Sequence, residues 1–233
     1  MVWLRLDRVP SWRVCVIAIA VMLCSVPAIN LLADLNRRLL DGVLSLGHWS
    51  GIGEWMRAME DAAAALTDRF LQADDIPTLL INIGLMALLP ALAEEFSFRG
   101  TLQQIIEGGE GRARTGLAIW VSAFIFAAIH MQFYGFIPRM LMGAMFGYVF
   151  VWTGSLWVPV LMHFTNNALA VISYYILSSP GGSVGAETNN IADTIGAGDT
   201  WYVGLISLLI VGLGLYIITY LGPQEYARRT RKE

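Results

Sequence analysis

Three short clusters of polar residues lie inside otherwise apolar stretches of the chain. They are Glu94-Glu95-Phe96-Ser97-Phe98-Arg99, then Phe126 with His130, then His163 with Asn167. A charged side chain at the centre of a lipid-embedded helix costs roughly 2.5–3.5 kcal/mol. Membrane helices keep such residues when they face the interior, pair with one another and perform a function. We therefore interpret the three clusters as one intramembrane active site.

Helix geometry separates the residues of the first cluster into two roles. Glu95 and Arg99 are four residues apart with the acid first, which is the favourable orientation for an ion pair on one helix face. Glu94 lies about 100° further round the helix, so it cannot share that pair equally. The spacing predicts a supporting Glu95–Arg99 ion pair and a Glu94 carboxylate that is free to take part in chemistry.

The predicted site offers one carboxylate, two imidazoles and one carboxamide on three helices, from Glu94, His130, His163 and Asn167. A carboxylate inside a bundle can take a proton from water, and a histidine beside it can hold that water or pass the proton to a leaving amine. A second histidine and a neighbouring asparagine can donate hydrogen bonds to an oxyanion. These are the parts of an amide hydrolase that uses water directly.

The composition is that of a membrane protein. Hydrophobic residues make up 56% of the 233 residues and charged residues 14%, whereas a soluble domain has about 25% charged residues. The net charge of −3 and the single lysine, Lys232, exclude a nucleic-acid-binding surface. Cys15 and Cys24 share one apolar run, which favours packing residues over a disulfide or a metal framework.

Apolar runs predict six membrane spans, at about residues 14–32, 76–106, 115–131, 134–152, 156–177 and 201–221. Between the first two spans, apolar residues recur at three- and four-residue spacing over 51–72, which predicts an amphipathic helix. This helix either lies on the membrane surface or covers the bundle, and both interpretations stay open. The predicted fold class is all-α: a polytopic transmembrane helical bundle of about six spans with an intramembrane catalytic cavity.

The distribution of basic residues predicts the orientation. Six spans place both termini on one side. The N-terminal segment, the turn at Arg112 and Arg114, and the C-terminal tail hold nine of the fifteen basic residues, whereas the loop 178–200 has none. The positive-inside rule therefore places both termini in the cytoplasm. We expect an integral, multi-pass protein of a bacterial inner (plasma) membrane.

The motifs Glu-Glu-x-x-x-Arg, Phe-x-x-x-His and His-x-x-x-Asn follow one another on successive hydrophobic helices over about residues 76–180. This set resembles the CPBP family, which comprises the type II CAAX prenyl endopeptidases and the bacterial bacteriocin-processing and self-immunity (Abi) proteins. The resemblance implies a helical bundle around a conical cavity, and a peptide or protein substrate at the lipid bilayer. The CAAX enzymes of the family typically have more spans than six.

The resemblance also implies a role for each motif residue. Glu94 with His130 would activate the water, and His163 with Asn167 would form the oxyanion hole. The remaining motif residues, Glu95 and Arg99, would support the site or position the C-terminus of the substrate. We accordingly divide the chain into an anchor helix plus surface helix (1–75), a CPBP-like catalytic core (76–180), and a segment with an extracytoplasmic loop, the last span and a basic cytoplasmic tail (181–233).

A zinc mechanism is the alternative to a metal-free one. Glu94, His130 and His163 form a two-histidine, one-glutamate set of the kind that holds catalytic zinc. Against zinc, the HExxH motif is absent, and metal binding would occupy the Glu94 base. In addition, Asn167 beside His163 suits an oxyanion hole better than the carboxylate or carbonyl that usually orients a metal-bound histidine. The sequence favours a mechanism without a cofactor, with zinc on these three residues as the alternative.

Two other classes of protein fit parts of the pattern. A catalytically idle membrane protein of the same fold would serve as a chaperone, an immunity factor or a scaffold. A proton-coupled transporter would use intramembrane Glu, His and Arg as a relay. The complete motif set favours the enzyme. The sequence does not identify the substrate, its prenylation or the oligomeric state.

Four further residues are expected to lie outside the chemistry. His48 belongs to the polar segment before the amphipathic helix and is expected to be solvated. Arg139 stands near the start of a predicted span, where a long basic side chain reaches back to the membrane interface. Gly143 and Gly147 have the small-xxx-small spacing of close helix packing.

Overall fold

The computed structural model describes residues 4–45, 47, 50–108, 112–178 and 195–230. Within these ranges the chain forms eight α-helices and no strand, which confirms the all-α prediction. The helices are α1 (Trp12–Cys24), α2 (Val26–Leu44), α3 (Ser50–Leu71), α4 (Ile76–Glu107), α5 (Arg112–Ile129), α6 (Phe136–Thr153), α7 (Trp157–Ser178) and α8 (Trp201–Thr230). A 3₁₀ turn at Phe133–Gly135 precedes α6. His48 and most of the loop 178–200 lie outside the described residues.

The first apolar run forms two helices, and the single helix predicted over 14–32 is wrong at Ser25. There α1 gives way to α2 with a bend of 43°. Pro27 in the first turn of α2 explains the break, because proline lacks an N–H and its ring clashes with the carbonyl four residues earlier. The N–H of Ala28 instead donates to the Ser207 hydroxyl of α8, at 3.2 Å.

The amphipathic helix predicted over 51–72 is present as α3. Met56 and Leu71 of this helix are buried, whereas Trp55 and Phe70 are about half exposed. The helix contacts α4, α7 and the turn before α6. The bundle therefore covers only part of its apolar surface.

The long helix α4 carries the first polar cluster. Two π-helical stretches interrupt it, at Ile83–Leu88 and Phe98–Leu102. A π turn takes in one extra residue and changes the direction of the side chains that follow, and such turns are frequent at functional sites. Glu94 and Glu95 lie between the two stretches and Arg99 lies on the second.

Glycines bring α5 and α6 into close contact. A Cβ atom on Gly143 would lie 3.2 Å from the Phe126 ring and 3.3 Å from Ala123, and one on Gly147 would lie 2.9 Å from Ile119. The predicted close packing is therefore present. Beside it, residues of four helices form the main buried apolar cluster: Val14, Ala18, Val21 and Met22 of α1, Phe146 and Val149 of α6, Val158 and Met162 of α7, Val211 and Ile218 of α8.

Three helical segments of the described part are long and apolar enough to cross a bilayer: Ile76–Glu107, Phe133–Thr153 and Gly198–Gly222. The bent pair α1–α2 makes a fourth if it is one broken span. The chain is thus a polytopic membrane bundle. The apolar part of α5, Arg114–Ile129, is shorter, and Asn166 and Asn167 lower the mean hydropathy of α7. Six spans with cytoplasmic termini remain a prediction.

Candidate active site

The three polar clusters meet at one place inside the bundle. Glu94 comes from α4, His130 follows the last residue of α5, and His163 comes from α7. The Oε2 atom of Glu94 lies 3.7 Å from Nε2 of His163 and 4.0 Å from Nε2 of His130. One carboxylate oxygen therefore faces the same nitrogen of both imidazoles.

The site has an open side and a buried side. The side chains of Glu94 and His130 are 28% and 26% exposed, although the Oε2 atom of Glu94 is itself buried and has no hydrogen-bond partner among the described residues. His163 is only 6% exposed, and Glu95 lies fully buried behind it. This arrangement places the residues expected to handle water at the opening.

The Glu95–Arg99 ion pair predicted from the spacing is present and buried. Nη1 of Arg99 lies 2.9 Å from Oε1 of Glu95, and Nη2 donates to the Gly143 carbonyl at 2.7 Å. The guanidinium also lies over the rings of Phe126 and Phe146, at 4.8 and 5.4 Å from the centroids. The pair thereby fixes α4 against α5 and α6.

Each histidine is oriented through its Nδ1 atom. Nδ1 of His163 lies 2.8 Å from Oε1 of Glu95, and Nδ1 of His130 lies 2.6 Å from the Phe126 carbonyl. A carboxylate and a carbonyl only accept hydrogen bonds, so both Nδ1 atoms carry the proton. Both Nε2 atoms are left to face Glu94. The Phe126 ring also packs edge-on against His130, with centroids 4.9 Å apart.

Asn167 lies one helical turn after His163 on α7, as predicted. Its Oδ1 atom accepts a hydrogen bond from Nδ2 of Asn166 at 3.1 Å. Within the described part of the chain, its side chain makes no hydrogen bond to Glu94, His130 or His163. Asn166, which sequence reasoning left out of the site, therefore orients the carboxamide of its neighbour.

Arg139 binds the turn beside the site, a contact that sequence reasoning did not predict. It was expected to reach the membrane interface, but its guanidinium donates to Oε1 of Gln132 at 2.6 Å and to the Gln132 carbonyl at 3.4 Å. It is also close enough to Glu60 and Glu94 to interact with their charges. The signal that could have identified it is its position nine residues after His130, across a short turn.

Gln103 repeats the contact that Arg99 makes. It lies one turn later on α4, and its Nε2 donates to the Gly147 carbonyl at 3.4 Å, one turn after the Gly143 carbonyl that Arg99 binds. The sequence held a signal for this repeated contact, because Arg99 and Gln103 have the same four-residue spacing as Gly143 and Gly147. The two contacts fix the position of α4 along α6.

The zinc alternative does not fit the side chains as they are placed. Among the residues that the structure describes, no group of three or more His, Cys, Asp or Glu could hold a metal ion. Ligands of a tetrahedral zinc ion are about 3.3 Å apart, which is less than the separations of Glu94 from the two imidazoles. One argument from the sequence is wrong, however, because Glu95 and the Phe126 carbonyl are the kind of partner that a metal-bound histidine has.

Comparison with known proteins shows a similarity over the part of the chain that carries the site. Residues 76–169 match the family described as type II CAAX prenyl endopeptidase Rce1-like. Two bacterial proteins are similar over the same part of the chain. Uncharacterized protein YpbD of Bacillus subtilis (strain 168) is 34% identical over 92 residues, 38% of this chain and 43% of that protein. Membrane-embedded CAAX protease MroQ of Staphylococcus aureus (strain USA300) is 37% identical over 97 residues, 40% of this chain and 38% of that protein.

The alignments thus span less than half of each bacterial relative. No solved structure matches the chain significantly. All of the motif residues fall inside the matched range: Glu94, Glu95, Arg99, Phe126, His130, His163 and Asn167. Residues 76–169 therefore form an Rce1-like domain, and this match agrees with the resemblance of the motifs to the CPBP family.

Proposed function

We propose that the protein is an intramembrane endopeptidase that hydrolyses a peptide bond of a membrane-associated peptide or protein. The observation that carries this proposal is the position of Glu94, whose Oε2 faces Nε2 of His130 and of His163 at 4.0 and 3.7 Å. The matched family is described as a type II CAAX prenyl endopeptidase and the relative MroQ as a membrane-embedded CAAX protease, which supports peptide hydrolysis as the reaction.

Glu94 and His130 together are suited to hold one water molecule. With its proton on Nδ1, His130 has only a lone pair on Nε2, and Glu94 has only lone pairs on Oε2. Two acceptors cannot bond each other, and 4.0 Å is too long for a direct hydrogen bond. A water molecule that donates one O–H to each atom satisfies both and is held with its own lone pairs free to attack.

His163 and Asn167 would stabilise the charge that develops on the carbonyl oxygen. Because Nδ1 of His163 donates to Glu95, this imidazole donates through Nε2 only when it carries a second proton. The proposal therefore includes a second proton on His163, which lies beside the carboxylates of Glu94 and Glu95. The Nδ2 atom of Asn167, whose Oδ1 is held by Asn166, would supply the second donor.

The reaction then balances as a direct hydrolysis. The water oxygen attacks the scissile carbonyl carbon while one of its protons passes to Glu94. The tetrahedral intermediate holds its negative charge against His163 and Asn167. When the C–N bond breaks, Glu94 gives the proton to the leaving nitrogen, so that one product ends in a carboxyl group and the other in an amine.

The placement in the cell is part of the same proposal. We place the chain in a bacterial plasma membrane with both termini in the cytoplasm, as the distribution of Lys and Arg predicts. The relatives YpbD and MroQ both come from bacteria. The substrate would then be a peptide or protein that reaches the site from within, or along, this membrane.

Comparison of membrane peptides tests the proposal. Membranes from bacteria that produce the wild-type chain, Glu94→Gln, or the matched control Glu54→Gln at equal levels are analysed for new peptide termini by mass spectrometry. We expect a set of termini that wild type and Glu54→Gln share and Glu94→Gln lacks. Identical termini in all three membranes, with all three proteins folded, would contradict the proposed peptidase activity. That result would favour the alternative of a catalytically inactive membrane protein of the same fold.

A further inference from the structure

The turn that follows His130 is held by a helix from outside the Rce1-like domain. Nδ2 of Asn36, on α2, donates to the carbonyls of Phe133 and Tyr134 at 2.8 and 2.7 Å. Asn36 is only 3% exposed. Because its buried NH2 group donates to both carbonyls, it fixes their positions in the turn. A residue of the N-terminal region thus reaches within four residues of His130.

The amphipathic helix α3 holds the same turn from a second direction. Oε2 of Glu60 accepts the N–H of Tyr134 at 3.3 Å, and Nε of Arg57 donates to the Tyr134 hydroxyl at 3.2 Å. The ring of Trp55 lies against the ring of Phe133, with centroids 5.2 Å apart. The backbone N–H, the backbone carbonyl and the hydroxyl of Tyr134 therefore all bind residues of α2 or α3.

The backbone between His130 and this turn adopts a conformation that needs external support. Met131 has φ +53°, in the left-handed region that residues other than glycine rarely adopt. Such residues persist where the surrounding structure determines their conformation, and they concentrate at active sites. Contacts on both sides supply that support: Asn36 and Glu60 hold residues 133 and 134, and Arg139 holds Gln132.

We propose that α2 and α3 position His130: Asn36 and Glu60 fix the turn at 131–135 and thereby the separation of His130 from Glu94. The inference rests on the function proposed above, since it assigns these two residues a role in the placement of a catalytic histidine. It also gives α3 a task beyond covering the bundle. Asn36 and Glu60 are positioning residues, because neither touches the atoms that react.

Nitrogen NMR of the histidine side chains tests the proposal without a substrate. The chain has three histidines, so protein labelled with ¹⁵N-histidine in lipid nanodiscs gives few signals, which His48→Gln and His163→Gln assign. We expect Asn36→Leu to shift or broaden the His130 signals and to leave those of His163 in place. The matched control is Asn30→Leu. It removes an amide of the same helix that donates to the Ile195 carbonyl at 3.0 Å and not to the turn at 131–135.

A second pair of variants provides the same test if the Asn36→Leu protein does not fold. Glu60 is half-buried and Glu54 is exposed on the same helix, so Glu60→Ala is compared with Glu54→Ala. The proposal predicts a change of the His130 signals in Glu60→Ala alone. Folded Glu60→Ala protein with wild-type His130 signals would overturn it, and so would an equal change in the two control variants.

Cleavage separates this inference from the proposed function. On a peptide substrate identified in the membrane comparison, Asn36→Leu and Glu60→Ala should lower kcat about tenfold or more and leave KM within about twofold, because a small displacement of a catalytic group costs rate and not binding. Unchanged kcat in both variants would overturn the positioning role while leaving the enzyme intact. If wild type cleaves nothing, the proposed function fails and the NMR result alone decides whether α2 and α3 position His130.

Discussion

Glu95 and His163 lie 68 residues apart in the chain, yet Oε1 of the first is 2.8 Å from Nδ1 of the second. The same oxygen is 2.9 Å from Nη1 of Arg99. A single buried atom thus connects the first motif to the third, and it determines which nitrogen of His163 faces Glu94. Glu95 therefore has two functions, as the partner of a buried cation and as the group that orients an imidazole.

Glu95→Gln should destabilise the protein, whereas Glu94→Gln should not. The Glu95 change leaves Arg99 buried without a counter-charge, which typically costs about 3–5 kcal/mol. Glu94 is partly exposed and does not bond Arg99, so its neutral replacement changes little in the folded state. Thermal unfolding of both variants in nanodiscs measures the difference. Equal melting temperatures for Glu95→Gln and wild type would show that the Glu95–Arg99 ion pair does not stabilise the bundle.

His130 and His163 should be required for cleavage, and His48 should be dispensable. The first two face Glu94, while His48 belongs to the polar segment before α3 and lies outside the described residues. We expect His130→Ala and His163→Ala to lose activity and His48→Ala to keep it, measured on one peptide substrate. An inactive but well-folded His48→Ala protein would contradict this assignment of the site.

Purified protein should carry no stoichiometric zinc and should keep cleaving after exhaustive treatment with a strong chelator. The physical reason is that Glu94 serves as the base that takes the proton from water, which a metal-bound carboxylate could not do. Elemental analysis and a chelation series measure this. One zinc per chain, with activity lost on chelation and restored by zinc, would reassign Glu94, His130 and His163 as metal ligands.

The termini should both face the cytoplasm. In a chain whose Cys15 and Cys24 are replaced by alanine, cysteines are placed at Ser183, in the loop without Lys or Arg, and at Thr230, in the basic tail. An impermeant thiol reagent added to intact cells should label only Ser183→Cys, because the positive-inside rule keeps the tail inside. Labelling of Thr230→Cys would show that the orientation is wrong.

The sequence predicted those features that depend on local spacing. The Glu95–Arg99 pair and the helix over 51–72 follow from neighbours three or four residues apart, and such neighbours lie on one helix face in any fold. The assembly of Glu94, His130 and His163 could be inferred because polar residues in apolar helices need a common interior.

Features that depend on contacts between distant helices were not predicted. The bond between Glu95 and His163 joins α4 to α7, and the role of Arg139 depends on a turn whose shape no periodicity describes. The break at Ser25 was missed although Pro27 signals it, because the apolar run continues through both residues. The π-helical stretches of α4 have no composition that distinguishes them from α-helix.

Water activation by Glu94 is the central claim, and one rate comparison tests it most directly. The initial rate of cleavage of a single peptide substrate is measured for wild type, Glu94→Gln and the control Glu54→Gln, each reconstituted in liposomes at equal amounts and shown to be folded. The account predicts that Glu94→Gln lowers kcat by about 10²-fold or more, the size of a general-base contribution, while Glu54→Gln cleaves at the wild-type rate. A Glu94→Gln protein that cleaves at nearly the wild-type rate would contradict it.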